Sequence, residues 1–357
     1  MKYIKQLDSL RAIAALLVVI WHWLPNSHCI NALNNGSIGV NIFFVLSGFL
    51  ITAILLKNRN EAENLQTNKL VVFKNFYVRR ALRIFPIYYL TILFILFFHT
   101  PLGATITNAE LVNSVFYTSN FYILNVQKWP DLTTHFWSLA VEEQFYLFWP
   151  FVVLFINKKY ILHSILLFLL VGIIMEGLIT SPEFGFVATY TCFDAFGMGA
   201  LLAWIITYKE HLLKKFYREL CFLSIGCIIT LLVQIPYGVS LQIPQRMLQS
   251  VIAVWIIVFI LLNQHKKRMR FGFVLNNRAL IFLGKISYGI YLYHIPLMWF
   301  GFIWRPVFKI HFLNRFHTLS LFALNFCLLV CVSYLSWIAI EKPILQLKKQ
   351  FDYQRQT

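Results

Sequence analysis

The first apolar stretch of the chain carries two ionisable residues that a membrane-spanning helix normally excludes. Residues 7–26 read LDSLRAIAALLVVIWHWLPN, and in them Arg11 and His22 flank ten residues that are apolar except for the indole nitrogen of Trp21. An ionisable group at membrane depth costs roughly 2.5–3.5 kcal/mol on insertion scales, so such groups usually serve a function. Eleven residues at about 100° each bring His22 back to the helix face of Arg11, about 16 Å further along the axis. The alternative is a snorkelling arginine and an interfacial histidine.

Two adjacent carboxylates, Glu142 and Glu143, lie five or six residues inside another apolar stretch, HFWSLAVEEQFYLFWP (residues 135–150). His22 lies at a similar predicted depth, four or five residues from the edge of its own span. A carboxylate that holds a histidine in one tautomer makes a general base, which can deprotonate a hydroxyl group. We therefore predict a catalytic set of His22, Glu142 and Glu143, with Glu142 orienting His22. The alternative is a buried carboxylate pair that only fixes helix packing.

Three arginines lie where a further apolar stretch, NFYVRRALRIFPIYYL (residues 75–90), begins. Arg80 and Arg83 are three residues apart, so they share a helix face and can bind one phosphate or pyrophosphate between them. The alternative is that these residues, with Arg79, only anchor the helix at the cytoplasmic surface.

A fourth stretch, LGKISYGIYLYHIP (residues 283–296), has Lys285 near its beginning and His294 near its end. Tyrosine and serine side chains between them are typical of a span that lines a polar channel. A fifth stretch, CFDAFGMGALLAW (residues 192–204), adds Asp194 beside a face of small residues that favours close helix packing. The predicted substrate-binding residues are Ser138, Asp194, Tyr288 and His294.

The composition predicts that these stretches are helices of a polytopic membrane protein. Apolar residues make up 59% of the 357 residues and charged residues only 13%, whereas soluble domains carry about 25% charged residues. We predict an all-α bundle of about ten transmembrane helices in one domain, residues 1–345, followed by a short cytoplasmic tail, residues 346–357. The predicted spans are residues 9–26, 37–56, 84–100, 137–156, 161–180, 187–207, 220–236, 248–263, 280–303 and 318–340.

The net charge of +17 reports membrane topology rather than nucleic-acid binding. With the N-terminus inside, 25 of the 31 Lys and Arg residues fall on cytoplasmic segments, which is the positive-inside pattern. Both termini are then cytoplasmic, and the cationic inner loops favour anionic lipid head groups or an anionic cytosolic ligand. The six cysteines show no metal-type spacing and no pairing in outer loops, so we predict neither a metal nor a disulfide framework.

Six motifs in this order make the chain resemble the bacterial membrane acyltransferase-3 family, of the O-antigen acetylase type. They are Arg11-x10-His22, GVNIFFVLSGFLIT (39–52), Arg80-x-x-Arg83 within RRALRIFPIYY, FWSLAVEEQFYLFWP, ISYGIYLYHIP and the closing EKPI (341–344). The resemblance implies transfer of an acyl group, usually acetyl from acetyl-CoA, across the bacterial inner membrane to a glycan hydroxyl. It implies that His22 is catalytic and associates Arg11, Arg80 and Arg83 with the donor. We predict that Lys285 lies on the same donor path.

The chain also departs from the family. Some relatives carry a C-terminal periplasmic hydrolase-like domain, for which we see no room here, and Cys192 stands where a polar or basic residue is expected. The expected acceptor is lipopolysaccharide O-antigen, with peptidoglycan, an exopolysaccharide, a periplasmic glucan or a small molecule as alternatives. The rival class is a transporter or flippase, since intramembrane charges are equally normal there.

Overall fold

All the regular structure in the described residues is helical, which confirms the all-α prediction. The computed structural model describes residues 3–24, 34–178, 183–237, 244–264, 271–307 and 317–351. The α-helices are α1 (Lys5–Trp23), α2 (Asn35–Asn64), α3 (Lys69–Phe98), α4 (Asn108–Val115), α5 (Ser119–Val126), α6 (Phe136–Phe155), α7 (Ile161–Gly177), α8 (Phe193–Tyr208), α9 (Leu213–Tyr237), α10 (Gln245–Asn263), α11 (Gly272–Leu275), α12 (Arg278–Lys285), α13 (Ser287–Val307), α14 (His317–Ser336) and α15 (Lys342–Gln346). Short 3-10 segments cover Lys158–Tyr160, Gly185–Val187, Thr189–Cys192, Glu210–Leu212 and Leu347–Phe351, and Trp337–Glu341 is a π-helical turn.

Eight helical segments in the described part of the chain are long and apolar enough to cross a membrane, and the bent pair α12–α13 makes a ninth. This confirms a multi-pass membrane protein. Nine of the ten predicted spans each overlap one long helix, and the span near residues 280–303 overlaps the pair α12–α13. The first of these helices, α1, is not among the nine segments counted above. Its first seven residues include three charged ones, Lys5, Asp8 and Arg11. The count of ten and the orientation of the termini stay predictions.

The predicted span near residues 280–303 is bent, because the chain turns by 74° between α12 and α13. The turn brings Gly284 against the backbone of α1, where an added Cβ would lie 1.9 Å from the carbonyl oxygen of Asp8. Ser287 Oγ then donates a hydrogen bond of 2.9 Å to the Gly284 carbonyl. An apolar sequence predicts length but not direction, so contact with α1 decides where the span bends.

Small residues bring α2, α7 and α8 together at backbone contact, as the small-residue face predicted. A Cβ on Gly199 would lie 2.1 Å from the carbonyl oxygen of Val45, and one on Gly48 would lie 2.2 Å from that of Phe196. Such close approach between helices is how apolar helices associate where lipid removes the hydrophobic driving force. These contacts make a rigid frame in which α2 faces the remaining helices.

Hydrogen bonds near their C-terminal ends show that α2 and α6 finish at the same end of the bundle and run parallel. Arg59 near the end of α2 donates to the carbonyls of Val153 and Ile156 at the end of α6, both at 2.7 Å. Arg79 on α3 donates to the Lys348 carbonyl at 3.0 Å and ties the C-terminal 3-10 segment to the same region. After the predicted topology, we call the end of the bundle where α1 begins the inner end, and the end where α1 finishes the outer end.

Candidate active site

Two cavities share a wall of arginines at the inner half of the bundle. The first, of about 810 Å³, lies at the inner end, and we call it the vestibule. The second, of about 230 Å³, lies deeper between α2, α3, α6 and α13, and we call it the chamber. The residues that line both cavities are Arg11, Leu50, Ile54, Arg80 and Arg83. The two spaces are therefore neighbours, and anything that passes between them passes these side chains.

The three arginines predicted to bind an anion meet at this junction. Arg11 donates to Asp8 at 2.9 Å within α1, so one of its nitrogens is already paired. The Arg80 guanidinium lies 5.2 Å from the centre of the Tyr146 ring and 5.7 Å from that of Phe76, a cation–π geometry that holds it in place. The remaining donors of Arg80 and Arg83 are available to an anionic ligand.

Lys285 does not join them. Its side chain is exposed at the end of α12, and it lines neither the vestibule nor the chamber. The 74° turn that follows carries α13 toward the chamber and leaves Lys285 outside. The predicted position of Lys285 on the donor path is therefore wrong, because that prediction assumed one straight span.

Glu142 belongs to the chamber and not to His22. Ser47 Oγ donates to Glu142 Oε1 at 2.7 Å and lies 2.9 Å from the Tyr146 hydroxyl. Within the described residues, no hydrogen bond joins His22 to Glu142 or Glu143, and Glu143 does not line the chamber. The predicted pairing is wrong because the two side chains lie at different depths. His135, which immediately precedes α6, is the residue of this segment that lies near His22, and Glu142 is seven residues, about 10 Å, further along the helix.

Three histidines meet at the outer side of the chamber. His294 Nε2 lies 3.2 Å from His22 Nδ1, and the ring centres of His135 and His294 are 4.9 Å apart. His135 and His294 are buried, whereas His22 is half-buried. Backbone carbonyls hold all three rings: Val18 at 2.9 Å from His22, Leu292 at 3.0 Å from His135 and Tyr291 at 2.5 Å from His294. We call this group the histidine cluster.

A hydrogen bond between Ser138 and Tyr291 separates the chamber from the histidine cluster. Both side chains line the chamber, and both hydroxyls also approach the His135 carbonyl, at 3.1 Å and 3.4 Å. None of the three histidines lines either cavity. The chamber thus ends one side chain short of the histidines, and the predicted residues Ser138 and Tyr288 lie on its wall while His294 lies just beyond.

Asp194 lies in a different polar group, between α7, α8 and α10. It is buried, and its backbone nitrogen is close to α7, where a Cβ on Gly172 would lie 2.1 Å away. The neighbouring Cys192 accepts a hydrogen bond of 2.8 Å from Arg246, whose backbone nitrogen donates to Glu176 at 2.9 Å. A polar or basic residue was expected at position 192, and Arg246 places a basic group beside the cysteine found there. Asp194 therefore lies apart from Ser138 and His294 and lines neither cavity, and its part in substrate binding stays a prediction.

Sequence reasoning missed His135, Ser47, Tyr146 and Tyr291 as members of the site. His135 stands at the start of the motif that contains Glu142, at the same predicted end of the bundle as His22. That position could have identified His135 as a neighbour of His22. Ser47 had none, because a serine inside SGF is common in close helix packing.

The arrangement defines a multi-pass membrane protein in which a cationic cavity reaches toward a group of three imidazole rings, two of them buried and the third half-buried. The sequence matches the acyltransferase-3 family, described as an acyltransferase domain, over residues 4–340, and the chain belongs to that family. This confirms the resemblance drawn from the motifs.

The chain is similar to several bacterial proteins that are named as O-acetyltransferases. It is 30% identical over 96% of its length to the peptidoglycan O-acetyltransferase OatA of Listeria monocytogenes, covering 56% of that protein. It is 29% identical over 84% of its length to the O-acetyltransferase OatA of Staphylococcus aureus, covering 51% of it. YrhL of Bacillus subtilis is 32% identical over 83% of the chain, and 49% of YrhL is covered. The chain spans about half the length of these relatives. No solved structure matches it.

Proposed function

We propose that the chain is a membrane O-acyltransferase that takes an acetyl group from acetyl-CoA and delivers it to a sugar hydroxyl of a cell-envelope glycan. The observation that carries the proposal is the continuity from the arginine-lined vestibule, through the chamber, to the wall beneath His22. This order of features suits an anionic donor that approaches from one side and an acceptor that approaches from the other. The inner membrane of a bacterium, with the vestibule facing the cytoplasm, is the location that the Lys and Arg distribution supports.

The donor end of the proposal rests on charge and shape. Coenzyme A carries a pyrophosphate and a 3′-phosphate, and the guanidinium groups of Arg80 and Arg83 match such oxygens as paired donors. Arg11, further along the same wall, is already paired with Asp8 and adds positive charge. The chamber beyond is lined mostly by apolar side chains, among them Phe43, Leu46 and Ile51, which suit a pantetheine arm. No metal enters the proposed reaction.

The chemical end of the proposal rests on His22. As a general base, its imidazole removes the proton of the acceptor hydroxyl while the hydroxyl oxygen attacks the thioester carbonyl. The tetrahedral intermediate then expels the CoA sulfur, and the imidazolium returns the proton to it. As a transient acyl carrier, His22 Nε2 instead attacks the thioester first and CoA leaves as the thiolate. The sugar oxygen then attacks the acetyl carbon, the N–C bond breaks, and the hydroxyl proton passes to the thiolate. Either route forms one C–O bond and breaks one C–S bond.

For the acceptor, the relatives favour peptidoglycan over the lipopolysaccharide O-antigen that the motifs implied. The Listeria relative is named a peptidoglycan O-acetyltransferase and covers almost the whole chain. Exopolysaccharide, a periplasmic glucan and a small molecule remain alternative acceptors.

The experiment that tests the proposed function is transfer by the purified protein in vesicles. Acetyl-CoA labelled in the acetyl group is supplied on the vestibule side, and a muropeptide or a lipid-linked glycan on the other. We expect label in ester linkage to the sugar, released by mild base. Movement of intact acetyl-CoA or of glycan without ester formation would instead identify a transporter or flippase. Mass spectrometry of envelope glycans with and without the gene then identifies the acetylated sugar.

A further inference from the structure

Two backbone carbonyls fix which ring nitrogens carry protons in the histidine cluster. A carbonyl oxygen can only accept a hydrogen bond, so a ring nitrogen beside it must be the donor. His22 Nδ1 lies 2.9 Å from the Val18 carbonyl, and His294 Nδ1 lies 2.5 Å from the Tyr291 carbonyl. In the neutral rings, both Nδ1 atoms are therefore protonated.

This assignment leaves one direction for the contact between the two rings. His294 Nε2 carries a lone pair and lies 3.2 Å from His22 Nδ1, so it accepts from the same N–H that reaches Val18. The other nitrogen of His22, Nε2, has no hydrogen-bond partner among the described residues. His22 therefore carries its unprotonated nitrogen at Nε2.

We propose that His294 is the positioning residue of the transfer reaction, because it accepts the Nδ1 proton of His22 and keeps Nε2 of His22 ready to react. This inference rests on the proposed function and deepens it. His294 takes the part that the sequence assigned to Glu142, but as a neutral acceptor rather than a carboxylate.

The surroundings of His294 support a positioning role. Its ring is buried, its Nδ1 is fixed by the Tyr291 carbonyl, and its own carbonyl accepts from Trp23 Nε1 at 3.0 Å. Trp23 follows His22 on α1, so α1 and α13 are joined on both sides of the pair of rings. The acceptor nitrogen is thus held where His22 must donate, which favours one tautomer without placing a negative charge in the membrane.

The inference holds for both routes of transfer. When Nε2 of His22 takes the hydroxyl proton, the ring becomes an imidazolium whose Nδ1–H still bonds to His294 Nε2 and the Val18 carbonyl. When Nε2 attacks the thioester, the same lone pair forms the N–C bond and the CoA sulfur leaves. In either case His294 neither gains nor loses a proton.

Kinetics of three variants form the first test. His294→Phe removes the acceptor and keeps the ring volume, and we expect kcat to fall by about 10²-fold or more while the donor KM stays within about twofold. His294→Gln places an amide oxygen near the position of Nε2, and we expect it to restore kcat to within about tenfold of wild type. His163→Phe, on the exposed surface of α7, is the matched control and should behave as wild type. Equal loss in His294→Phe and His294→Gln, or a wild-type kcat in His294→Phe, would overturn the inference.

Nitrogen NMR of the isotope-labelled protein in bilayers is the second test, and it needs no activity. The His22 signals are assigned by their loss in His22→Gln among the ten histidines. We expect wild-type His22 to carry its proton on Nδ1, and His294→Phe to show both tautomers. A proton on Nε2 of wild-type His22 would overturn the inference even if the protein transfers acetyl groups. If the wild type transfers nothing but shows the Nδ1 proton, the proposed function fails and the assignment of His294 as the partner of His22 stands.

Discussion

The chamber and the histidine cluster are neighbours in the same bundle, yet they bury polar groups in opposite ways. The chamber places charged side chains, Arg80 and Glu142 among them, around open space. The histidine cluster lines neither cavity and holds neutral rings by hydrogen bonds to backbone carbonyls of 2.5–3.0 Å. Burying a charge costs far more than burying a hydrogen-bonded neutral group, so of these two regions the charged one is the one that a ligand or water can reach.

This contrast indicates that the chamber binds the anionic donor and that the histidine cluster carries out the reaction. Long guanidinium side chains around a space suit binding of an anion, whereas close-packed rings suit the control of one proton. Four sets of variants distinguish binding from reaction, and they are given in order of decreasing effect.

Replacing His22 by alanine tests the reacting region. A positioned base typically contributes about 10²–10⁴-fold, so we expect transfer to fall by that factor. Donor binding should not change, because His22 lines neither cavity. The measurement is transfer rate together with donor affinity in vesicles. Near-normal transfer by His22→Ala at normal protein level would remove the histidine cluster from the chemistry.

Conservative replacement of the arginines tests the recognising region. Arg80→Lys and Arg83→Lys keep the positive charge but lose the paired donor geometry, so we expect the donor KM to rise about tenfold with little change in kcat. Arg218→Lys, on an exposed arginine beside Glu219, is the control. Donor KM is measured in inverted vesicles. If both chamber variants match the control, these arginines only anchor α3.

The two adjacent carboxylates sharpen the comparison, because only one of them lines the chamber. We expect Glu142→Gln to lower kcat/KM for the donor about tenfold, since the charge facing Arg80 and Arg83 is lost although the Ser47 hydrogen bond can persist. Glu143→Gln should change it less than about threefold. Neither variant should alter the His22 tautomer seen by NMR. A changed His22 tautomer in Glu142→Gln would show that the Glu142 carboxylate influences the histidine cluster.

Substitutions outside both regions should have the smallest effect. Asp194→Asn and Lys285→Ala alter residues that line neither cavity, so we expect donor KM and kcat per folded molecule to stay within about twofold. Thermal unfolding should separate them, with Asp194→Asn less stable because that side chain is buried. A tenfold rise of donor KM in Asp194→Asn would extend the binding region to α8.

The sequence alone was enough to predict where the helices lie and that Arg80 and Arg83 lie close together. Period and hydropathy determine where a helix runs, and Arg80 and Arg83 on one face of α3 needed only the 3.6-residue repeat to be placed together. The failures concern contacts between helices. The depth of Glu142 relative to His22 and the bend after Lys285 depend on how α6, α12 and α1 pack, and the apolar pattern carries no information on either.

The hydrogen bond between Ser138 and Tyr291 has a consequence for the membrane as a barrier. The chamber holds polar side chains and ends at this pair, and the histidines beyond it line neither the chamber nor the vestibule. A water-filled passage between the two faces would let ions leak and would dissipate the gradient that powers the cell. Because this hydroxyl pair stands where the chamber ends, we expect vesicles that carry the protein to conduct ions no better than protein-free vesicles.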